Sequence, residues 1–502
     1  MLRGTVLFLS IHALVAVTAA KGTCSTLEHN VDYSGNDLNH AFSPSADGCC
    51  FICASTNNCH AFTWTTYNGG TCWLKASSQG QRKASNGAIS SALDTSSFSL
   101  TSTDPATTQY SLSAFAIGDW GTTTHRGSCC SRSKTFDNFD LTAEYVVASL
   151  MNIQAGKAIP RPKVIIGHGD NFYWTGINSR EGRDSRFITT FEEKFAGANI
   201  QTIPWVNVLG NHDYGGASYI CNHGDNNAKC DSIEALLRGL ENKFQWQATY
   251  TSPHNDRWHL DGHFYTYRTE EAATGVSIEI FNVDTNDADI HGAKQICCQC
   301  YGYSNGDSAT CRNVGKGHHY CCGGDTQMFD ACMAKIAAWG EDSRNQLAQR
   351  VKQSTATWKI VNSHYSPFNH YVEPGMHKWF NVLRGSGVQV WLNGHTHGEK
   401  HDYSSSLRMH FIENGAGGGI QREGASGIPA YALPFVKTQW TYGGNEYGFM
   451  SLQASKKWLK LQYHTADRSW QFGEDFQRTK IGGVETKHCW YIPVTGEEGR
   501  RC

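Results

Sequence analysis

The 502-residue chain lacks several features that would place it in a common class. A membrane-spanning helix needs about 18 consecutive apolar residues, and no run beyond the first 20 residues approaches that length. No membrane anchor is therefore expected. The chain has no basic block and a formal net charge of −2, so neither nucleic acid nor an anionic membrane is expected as a partner. No Asn-X-Ser/Thr sequon occurs, so N-linked glycans are not expected.

The first 20 residues are typical of an export signal. Arg3 precedes the apolar stretch "TVLFLSIHALVAV", and "TAA" supplies a small-residue cleavage site. The chain also has 19 cysteines, which in an exported protein indicate disulfides. We therefore expect a secreted protein, or one in the lumen of the secretory, lysosomal or vacuolar system. Because 19 is odd, at least one thiol lacks an intramolecular partner, and we expect it to be Cys502.

Residues 21–89 contain a dense group of cysteines and read as a small disulfide-rich domain. The group consists of Cys24, Cys49, Cys50, Cys53, Cys59 and Cys72. The pattern "CCFICASTNNCHAFTW", followed by "CWLK", resembles PAN/Apple domains. This resemblance implies a module that binds a polysaccharide or a glycoprotein. The alternative is a cross-linked module without a ligand.

The remaining chain divides by composition. Residues 90–109 are dominated by Ser and Thr and are expected to form a linker. A catalytic domain is expected over 110–475, with a C-terminal extension over 476–502. A cysteine-rich insertion over 297–332 includes His318 and His319. Zinc binding is conceivable there, but an oxidising compartment favours an insertion held by disulfides.

Five segments of the expected catalytic domain each combine an apolar run with polar residues at its C-terminal end. They are "SLSAFAIGDWG", "KVIIGHGDNFY", "IPWVNVLGNHDY", "WKIVNSHYSPF" and "VQVWLNGHTHG". Such runs predict strands buried on both faces, and helical patterns over 141–154 and 329–351 lie between them. Alternating strands and helices indicate a layered α/β domain with ligands at the carboxyl ends of its strands.

The polar residues at these ends suit the chemistry of metal ions. They are Asp119, Asp170, Asn211, His364, His395 and His397. Taken singly, each is better explained as a turn residue, a helix cap or a structural histidine. Together they offer a carboxylate able to bridge two cations, with imidazoles and an amide oxygen to complete both sites. The set therefore predicts hydrolysis at a pair of metal ions.

The motifs "GDWG", "GDNFY", "GNHD", "SHYSPF" and "GHTH", in this order, resemble the metallophosphoesterases, and specifically the purple acid phosphatases. "GDNFYWTG" and "GNHDYGG" are most similar to the small, mammalian-type members. The resemblance covers about 115–419 and implies a layered α-β-β-α sandwich. "GAGGG" at 415–419 lacks the Lys-Ser/Thr of a phosphate-binding loop, so a tight structural turn near the site is expected.

The resemblance also implies roles for individual residues. Asp119, Tyr173 and His397 would bind Fe³⁺, and Asp170 would bridge to a second divalent metal (Fe²⁺, Zn²⁺ or Mn²⁺). The ligands of the second metal would be Asn211, His364 and His395. His212 would protonate the leaving group with Asp213 as its orienter, and His370 would reach the phosphate.

The implied activity is that of a secreted acid phosphatase that cleaves phosphate monoesters by attack of a metal-bound hydroxide. One alternative is a metallophosphodiesterase or nucleotidase of the same superfamily, whose members usually lack a phenol at the position of Tyr173. Another is a glycan-binding surface protein with an inert phosphatase scaffold. The filled ligand positions argue against the inert scaffold.

Overall fold

The computed structural model describes residues 26–502 except 44, 47–48, 50–51, 54–55, 57–58, 78–80, 93–103, 123–141, 216–219, 222–229, 299–313, 320 and 474, and the side chains at 81 and 295. The expected export signal and residues 93–103 of the expected linker lie outside this part. The chain divides into two compact units, Met1–Thr103 and Asp104–Cys502. Among the described helices, none has both the length and the apolar character to cross a membrane.

The first unit is a five-stranded antiparallel sheet in the order β1-β5-β3-β4-β2. Its strands are β1 Glu28–Ser34, β2 Asp37–Phe42, β3 Ala61–Thr65, β4 Thr71–Lys75 and β5 Gln81–Ala92. The core combines Phe62 and Leu74 with the disulfides Cys49–Cys72 and Cys53–Cys59. Because so small a core buries little apolar surface, the cross-links supply much of its stability.

The second unit alternates strands and helices through most of its length. Its strands are β6 Leu112–Ile117, β7 Pro162–Gly167, β8 Trp205–Asn207, β9 Trp258–His259, β10 Phe264–Glu271, β11 Val276–Val283, β12 Trp358–Asn362, β13 Val390–Asn393, β14 Glu399–Ser404, β15 Met409–Asn414, β16 Lys437–Thr441, β17 Gly448–Ala454, β18 Trp458–Ala466, β19 Val484–Pro493 and β20 Arg500–Arg501. Its helices are α1 Ala143–Lys157, α2 Arg180–Phe187, α3 Asn211–Tyr214, α4 Ile233–Ala248, α5 Ala293–Cys297, α6 Thr326–Gln353 and α7 Glu373–Leu383.

These strands form two sheets that pack face to face. One has the order β20-β19-β18-β17-β6-β7-β8-β9, and the other the order β10-β11-β12-β13-β15-β14-β16. Between the sheets lies an apolar cluster that includes Ala114 and Ile166 of the first and Ile280 and Leu392 of the second. Successive strand residues face opposite sides, so Phe115 of β6 faces away from this cluster and joins the core under α1.

Helices cover the outer face of each sheet. Helix α1 packs on β17, β18 and β19, and α6 packs on β10 and β11. Asp325 is the N-cap of helix α6. Its carboxylate accepts the backbone N–H groups of Gln327 at 2.8 Å and of Met328 at 3.0 Å. The resulting layers are helix, sheet, sheet and helix. This confirms the layered α-β-β-α fold expected from the sequence.

The outer core of the first sheet is dominated by aromatic rings behind the loops that follow β6 and β7. Trp120 makes edge-on contacts with Trp205 at 5.4 Å and with Phe195 at 5.4 Å between ring centroids. Phe172 packs edge-on against Phe187 at 4.6 Å. Edge-to-face packing of large rings fixes their orientation, so the loops containing Trp120 and Phe172 have a rigid support.

The cysteines correct one expectation. Cys502 is not free, because it forms a disulfide with Cys489. This bond is possible because residues 484–501 of the expected C-terminal extension form β19 and β20, which complete the first sheet. Among the described cysteines the free one is Cys322, where burial raises the thiol pKa to about 11.

The cysteine-rich insertion is cross-linked rather than arranged around a metal in its described part. Cys297 pairs with Cys332, and Cys298 pairs with Cys321. His318 and His319 stack on each other with ring centroids 4.5 Å apart. The disulfide interpretation of the insertion is therefore confirmed for the residues that the structure describes.

Candidate metal centre

The predicted ligand residues follow the carboxyl ends of strands from both sheets. Asp119, Asp170 with Tyr173, and Asn211 follow β6, β7 and β8 of the first sheet, while His364 follows β12 and His395 and His397 follow β13 of the second. Because parallel strands end at the same edge of a sheet, these loops meet along one edge of the sandwich. The structure brings together all seven predicted ligand residues.

A first cluster contains two carboxylates, a phenol and an imidazole. Ligand atoms of Asp119, Asp170 and His397 all lie within 4.8 Å of one another. The hydroxyl of Tyr173 donates to Asp119 Oδ1 at 3.1 Å and lies 3.4 Å from His397 Nε2. All four side chains are buried, so their polar atoms converge on one small volume.

A second cluster lies beside the first and shares Asp170 with it. Asn211 Oδ1 is 2.9 Å from His364 Nε2 and 3.0 Å from His395 Nδ1. His364 Nε2 is also 3.6 Å from Asp170 Oδ1. Asp170 Oδ2 is buried and has no hydrogen-bond partner among the described residues. A buried carboxylate between two groups of ligand atoms, with one oxygen unpartnered, fits a bridge between two cations.

The backbone reaches this arrangement in an unusual conformation. Asp119, Asp170 and His395 have φ values of 57°, 52° and 71°. Residues other than glycine seldom adopt such left-handed conformations, which cost about 1–3 kcal/mol each and are enriched at functional sites. At the ends of β6, β7 and β13, this conformation turns the side chains inward to the ligand clusters.

Glycines next to the ligands allow close packing. A Cβ on Gly210 would lie 2.1 Å from Asp170 Oδ1, and one on Gly394 would lie 2.2 Å from Asp119 Oδ2. In the "GAGGG" segment, Gly417 and Gly419 donate their N–H groups to the carbonyls of Gly118 at 3.0 Å and Asp119 at 2.9 Å. The segment is thus bonded to the backbone of the first ligand loop, in agreement with the expected structural turn.

The electrostatics of the site also fit bound cations. Burial lowers the pKa of His395 well below its ordinary value and the pKa of His397 to about 3, so both imidazoles are neutral, the form that binds metals. Burial and the charge of Asp170 raise the pKa of Asp119 well above its usual range. Burial and the two neighbouring carboxylates raise the pKa of Tyr173 in the same direction. Cations within the cluster would stabilise the ionised carboxylate and phenolate oxygens and so offset the cost of burying their charge.

The three residues predicted to act on the substrate lie around the same clusters. His212 donates its backbone N–H to Asp170 Oδ1 at 3.0 Å, and its Nδ1 is 3.0 Å from the carbonyl of Trp174. His370 Nε2 is 3.0 Å from the hydroxyl of Thr396, and the His370 ring is 4.7 Å from the His395 ring. Both imidazoles therefore border the ligand residues.

Asp213 holds backbone groups of two ligand loops. Its carboxylate accepts N–H groups from Gly210 at 2.8 Å and from Asn171 and Phe172 at 3.1 Å. The side chain of Gln247 donates a further bond at 3.0 Å. Asp213 thus connects the loop after β7 to the loop after β8, beneath the ligands.

The sequence did not single out Glu423, which follows the glycine-rich segment. Its backbone N–H donates to the carbonyl of His397 at 2.8 Å, and its carboxylate lies 3.5 Å from His397 Nδ1. The pattern around Glu423, "QREGASG", contains no regular spacing and no metal-binding motif. Only the tertiary structure places it beside a ligand.

Comparisons with known proteins agree with this architecture. Residues 31–75 match the family model of the PAN domain, and residues 114–399 match that of the calcineurin-like phosphoesterases. Purple acid phosphatase 17 of Arabidopsis thaliana is 25% identical over 323 residues, which are 62% of this chain and 70% of that protein. Tartrate-resistant acid phosphatase type 5 of Sus scrofa is 26% identical over 170 residues, 34% of this chain and 38% of that protein.

The comparison with solved structures includes a purple acid phosphatase from yellow lupin (Lupinus luteus) seeds. It has a TM-score of 0.35 and 13% identity, and the match covers 86% of this chain and 70% of that chain.

Proposed function

The chain belongs to the calcineurin-like phosphoesterase family, and from this premise we propose that it is a secreted, binuclear metal-dependent acid phosphatase acting on phosphate monoesters. The observation that carries the proposal is the position of Tyr173, whose hydroxyl is 3.1 Å from Asp119 and 3.4 Å from His397. A phenol holds its proton up to a pH of about 10, so a phenolate in an acidic medium needs a strong Lewis acid such as Fe³⁺.

The residues present fit two metal ions. Asp119, Tyr173 and His397 would hold Fe³⁺, and Asp170 would be the shared ligand. The second ion (Fe²⁺, Zn²⁺ or Mn²⁺) would be held by Asn211, His364 and His395. Bound cations of this kind lower the pKa of water and neutralise charge on a phosphoryl group.

The other residues would handle protons and orientation. His212 would give a proton to the departing alkoxide, because general acids lie within hydrogen-bond reach of the leaving group. The carbonyl of Trp174, 3.0 Å from His212 Nδ1, would fix the direction of this ring. His370 would contact the phosphate, and its contact with Thr396 at 3.0 Å holds its ring at the edge of the site.

The competing functions differ in one measurable property. A metallophosphodiesterase or nucleotidase would use the same scaffold without a tyrosinate–iron bond. An inert scaffold would hold no metal and hydrolyse nothing. The decisive experiment is metal analysis of the purified protein, together with its visible spectrum and its rates on a phosphate monoester and a diester. We expect iron, a charge-transfer band and preference for the monoester.

Replacement of the phenol sharpens this test. Tyr173→Phe is expected to abolish the visible band, because it removes the phenol oxygen beside Asp119 and His397 while keeping the ring in place. Tyr250→Phe is the matched control, since the Tyr250 hydroxyl bonds to Glu192 at 3.0 Å in the aromatic core. A band that survives in Tyr173→Phe would refute the ferric assignment, and a colourless wild-type protein with only zinc or manganese would leave a phosphoesterase of another kind.

We also propose that the PAN domain attaches the enzyme to a polysaccharide or a glycoprotein. Three apolar side chains of this unit are unusually exposed: Leu38 by 42%, Phe42 by 69% and Tyr67 by 60%. The rings of His40 and Tyr67 lie 5.4 Å and 6.0 Å from Trp73, so the exposed edge at β2 carries a row of aromatic rings. Exposed apolar patches of this kind mark interaction sites, and flat rings can stack on sugar faces.

This attachment is tested separately from catalysis. The full-length double variant Phe42→Ala/Tyr67→Ala is expected to lose retention on immobilised polysaccharides or glycoproteins and to keep the hydrolytic rate. The exposed Leu433→Ala, in the second unit, serves as the control because Leu433 is 60% exposed. Equal retention of both variants and wild type would refute a sugar-binding role for the aromatic row.

A further inference from the structure

The ring of His397 has two nitrogens in different surroundings. Nε2 lies 3.4 Å from the Tyr173 hydroxyl and 3.7 Å from Asp119 Oδ1, so it is the nitrogen directed at the ligand cluster. Nδ1 points away from the cluster. It is buried and makes no hydrogen bond to the described residues, although the Glu423 carboxylate is 3.5 Å from it. A metal on Nε2 leaves the ring proton on Nδ1, where it needs an acceptor.

Glu423 is attached to the same histidine through its backbone. The Glu423 N–H donates to the His397 carbonyl at 2.8 Å, so the two residues keep a fixed separation. The Glu423 side chain is 51% exposed, and its 3.5 Å separation from Nδ1 is only slightly longer than that of a hydrogen bond. The backbone contact therefore places a carboxylate beside the ring nitrogen that faces away from the ligand cluster.

We propose that Glu423 is a positioning residue that accepts the Nδ1 proton of His397 and strengthens its bond to the ferric ion. This inference rests on the proposed metal centre. A carboxylate that accepts a proton from a ligating imidazole fixes the ring and increases its basicity. A more basic imidazole favours the more highly charged ion, so Glu423 would stabilise Fe³⁺ relative to Fe²⁺ and hold the metal more firmly.

One other acceptor competes for the same ring. The backbone of Gln421 also lies near the ring and raises the pKa of His397. A carbonyl is neutral and cannot be removed by exchanging a side chain. If the Gln421 carbonyl accepts the proton of His397 Nδ1, exchange of the Glu423 side chain will leave the metal centre unchanged. The two assignments therefore make opposite predictions for one substitution.

The test compares three full-length variants with wild type. Glu423→Gln removes the charge, Glu423→Asp retains a carboxylate, and Glu341→Gln removes an exposed carboxylate on α6, where Glu341 is 64% exposed. The measurements are metal loss to a chelator, the position of the visible band and the reduction potential of the iron. All three report on the metal centre without requiring turnover.

Glu423→Gln is expected to retain metal about 10- to 100-fold less strongly, as loss of a partner of a metal-bound histidine usually does. Its visible band should move to longer wavelength, and its iron should have a higher reduction potential. In Glu423→Asp both values should return most of the way to those of wild type. Glu341→Gln should match wild type. Identical metal retention and spectra in Glu423→Gln and wild type would overturn the proposal.

The failure of the proposed function has a different signature. If the wild-type protein binds no metal, the binuclear assignment fails and the inference about Glu423 fails with it. If the wild type contains zinc without iron, chelator competition alone decides, because the hydrogen bond to His397 strengthens any metal–imidazole bond. Unchanged metal loss in Glu423→Gln then refutes the proposal.

Discussion

Single residues at the metal centre tolerate almost no added volume. Gly210 is the clearest case, because a Cβ there would lie 2.1 Å from Asp170 Oδ1 and 2.5 Å from the Asp170 backbone nitrogen. Gly210→Ala is therefore expected to displace Asp170 and to abolish binding of both metals. Gly427→Ala is the control, since nothing lies within 4 Å of a Cβ at Gly427. Metal analysis after gel filtration checks the result, and full metal content in Gly210→Ala would contradict the assignment of Asp170 as the shared ligand.

Asp213 provides the second prediction at this scale. Its carboxylate accepts four bonds from N–H groups, those of Gly210, Asn171, Phe172 and Gln247. An amide in its place would turn an NH₂ group towards donors. Because buried N–H groups would lose their acceptor, Asp213→Asn should lower the free energy of unfolding by about 1–3 kcal/mol. Denaturant unfolding measures the loss.

The same substitution separates two roles of Asp213. If Asp213 acts by holding the loops, activity should fall together with metal content, and added metal should restore part of it. If it acts only by orienting His212 in catalysis, stability and metal content should stay at wild-type values while turnover falls. Asp184→Asn, at an exposed side chain of α2, is the control.

At the scale of elements, strands β14, β15 and β19 share a chain of buried imidazoles. His401 Nε2 is 2.8 Å from His410 Nδ1, and His401 Nδ1 is 3.1 Å from His488 Nε2. His410 Nε2 donates to the carbonyl of Glu497 at 3.0 Å. Burial lowers the pKa of all three rings, which favours their neutral forms. In a neutral His410 the proton is on Nε2, so Nδ1 accepts from His401, and His401 Nδ1 in turn accepts from His488.

This chain predicts loss of stability in acid. Burial lowers the pKa of His410 to about 4 and that of His488 to about 3, whereas an unfolded histidine titrates near 6.5. Between these values the unfolded state binds protons that the folded state excludes. The contribution of these neutral histidines to the free energy of unfolding is therefore fully present above a pH of about 6.5. It declines as the pH falls towards 4, by up to about 3 kcal/mol for His410 alone.

Melting temperature as a function of pH checks this decline. His488→Gln should start with a lower melting temperature at pH 7 and then lose less than wild type between pH 7 and 5. His377→Gln, at an exposed histidine of α7, should follow the wild-type curve. A His488→Gln curve parallel to that of wild type would mean that the imidazole chain does not titrate in this range.

The elements that the sequence predicted are those whose own residues form a recognisable pattern. Strands β6 and β7 are buried on both faces, so their continuous apolar runs were diagnostic, and the five motifs at the strand ends led to the family that the comparisons confirmed. Strand β19 gave no such signal, because "VETKHCWYIP" mixes charged and apolar residues. The sequence did not predict the imidazole chain for another reason. His401 and His488 are 87 residues apart and belong to different sheets, so they meet only because the two sheets pack together.

At the scale of the whole molecule, the candidate metal centre connects the two sheets of the second unit. Asp119, Asp170, Tyr173 and Asn211 follow strands of one sheet, and His364, His395 and His397 follow strands of the other. Cations held by both sets would cross-link the sheets at one edge. The first unit depends instead on a small core with the disulfides Cys49–Cys72 and Cys53–Cys59. The two units should therefore respond differently to chelators.

Calorimetry of the full-length protein tests this difference. Metal present at about 1,000 times its dissociation constant stabilises the folded state by about 4 kcal/mol, so a chelator should lower the melting temperature of the second unit by several degrees. The transition of the first unit should stay in place with chelator and move with a reductant. Asp170→Ala is the control. Without the shared ligand, the melting temperature of the second unit should be the same with and without chelator. If chelation leaves both wild-type transitions unchanged, the ligand clusters do not hold structural cations, and the binuclear proposal loses its physical basis.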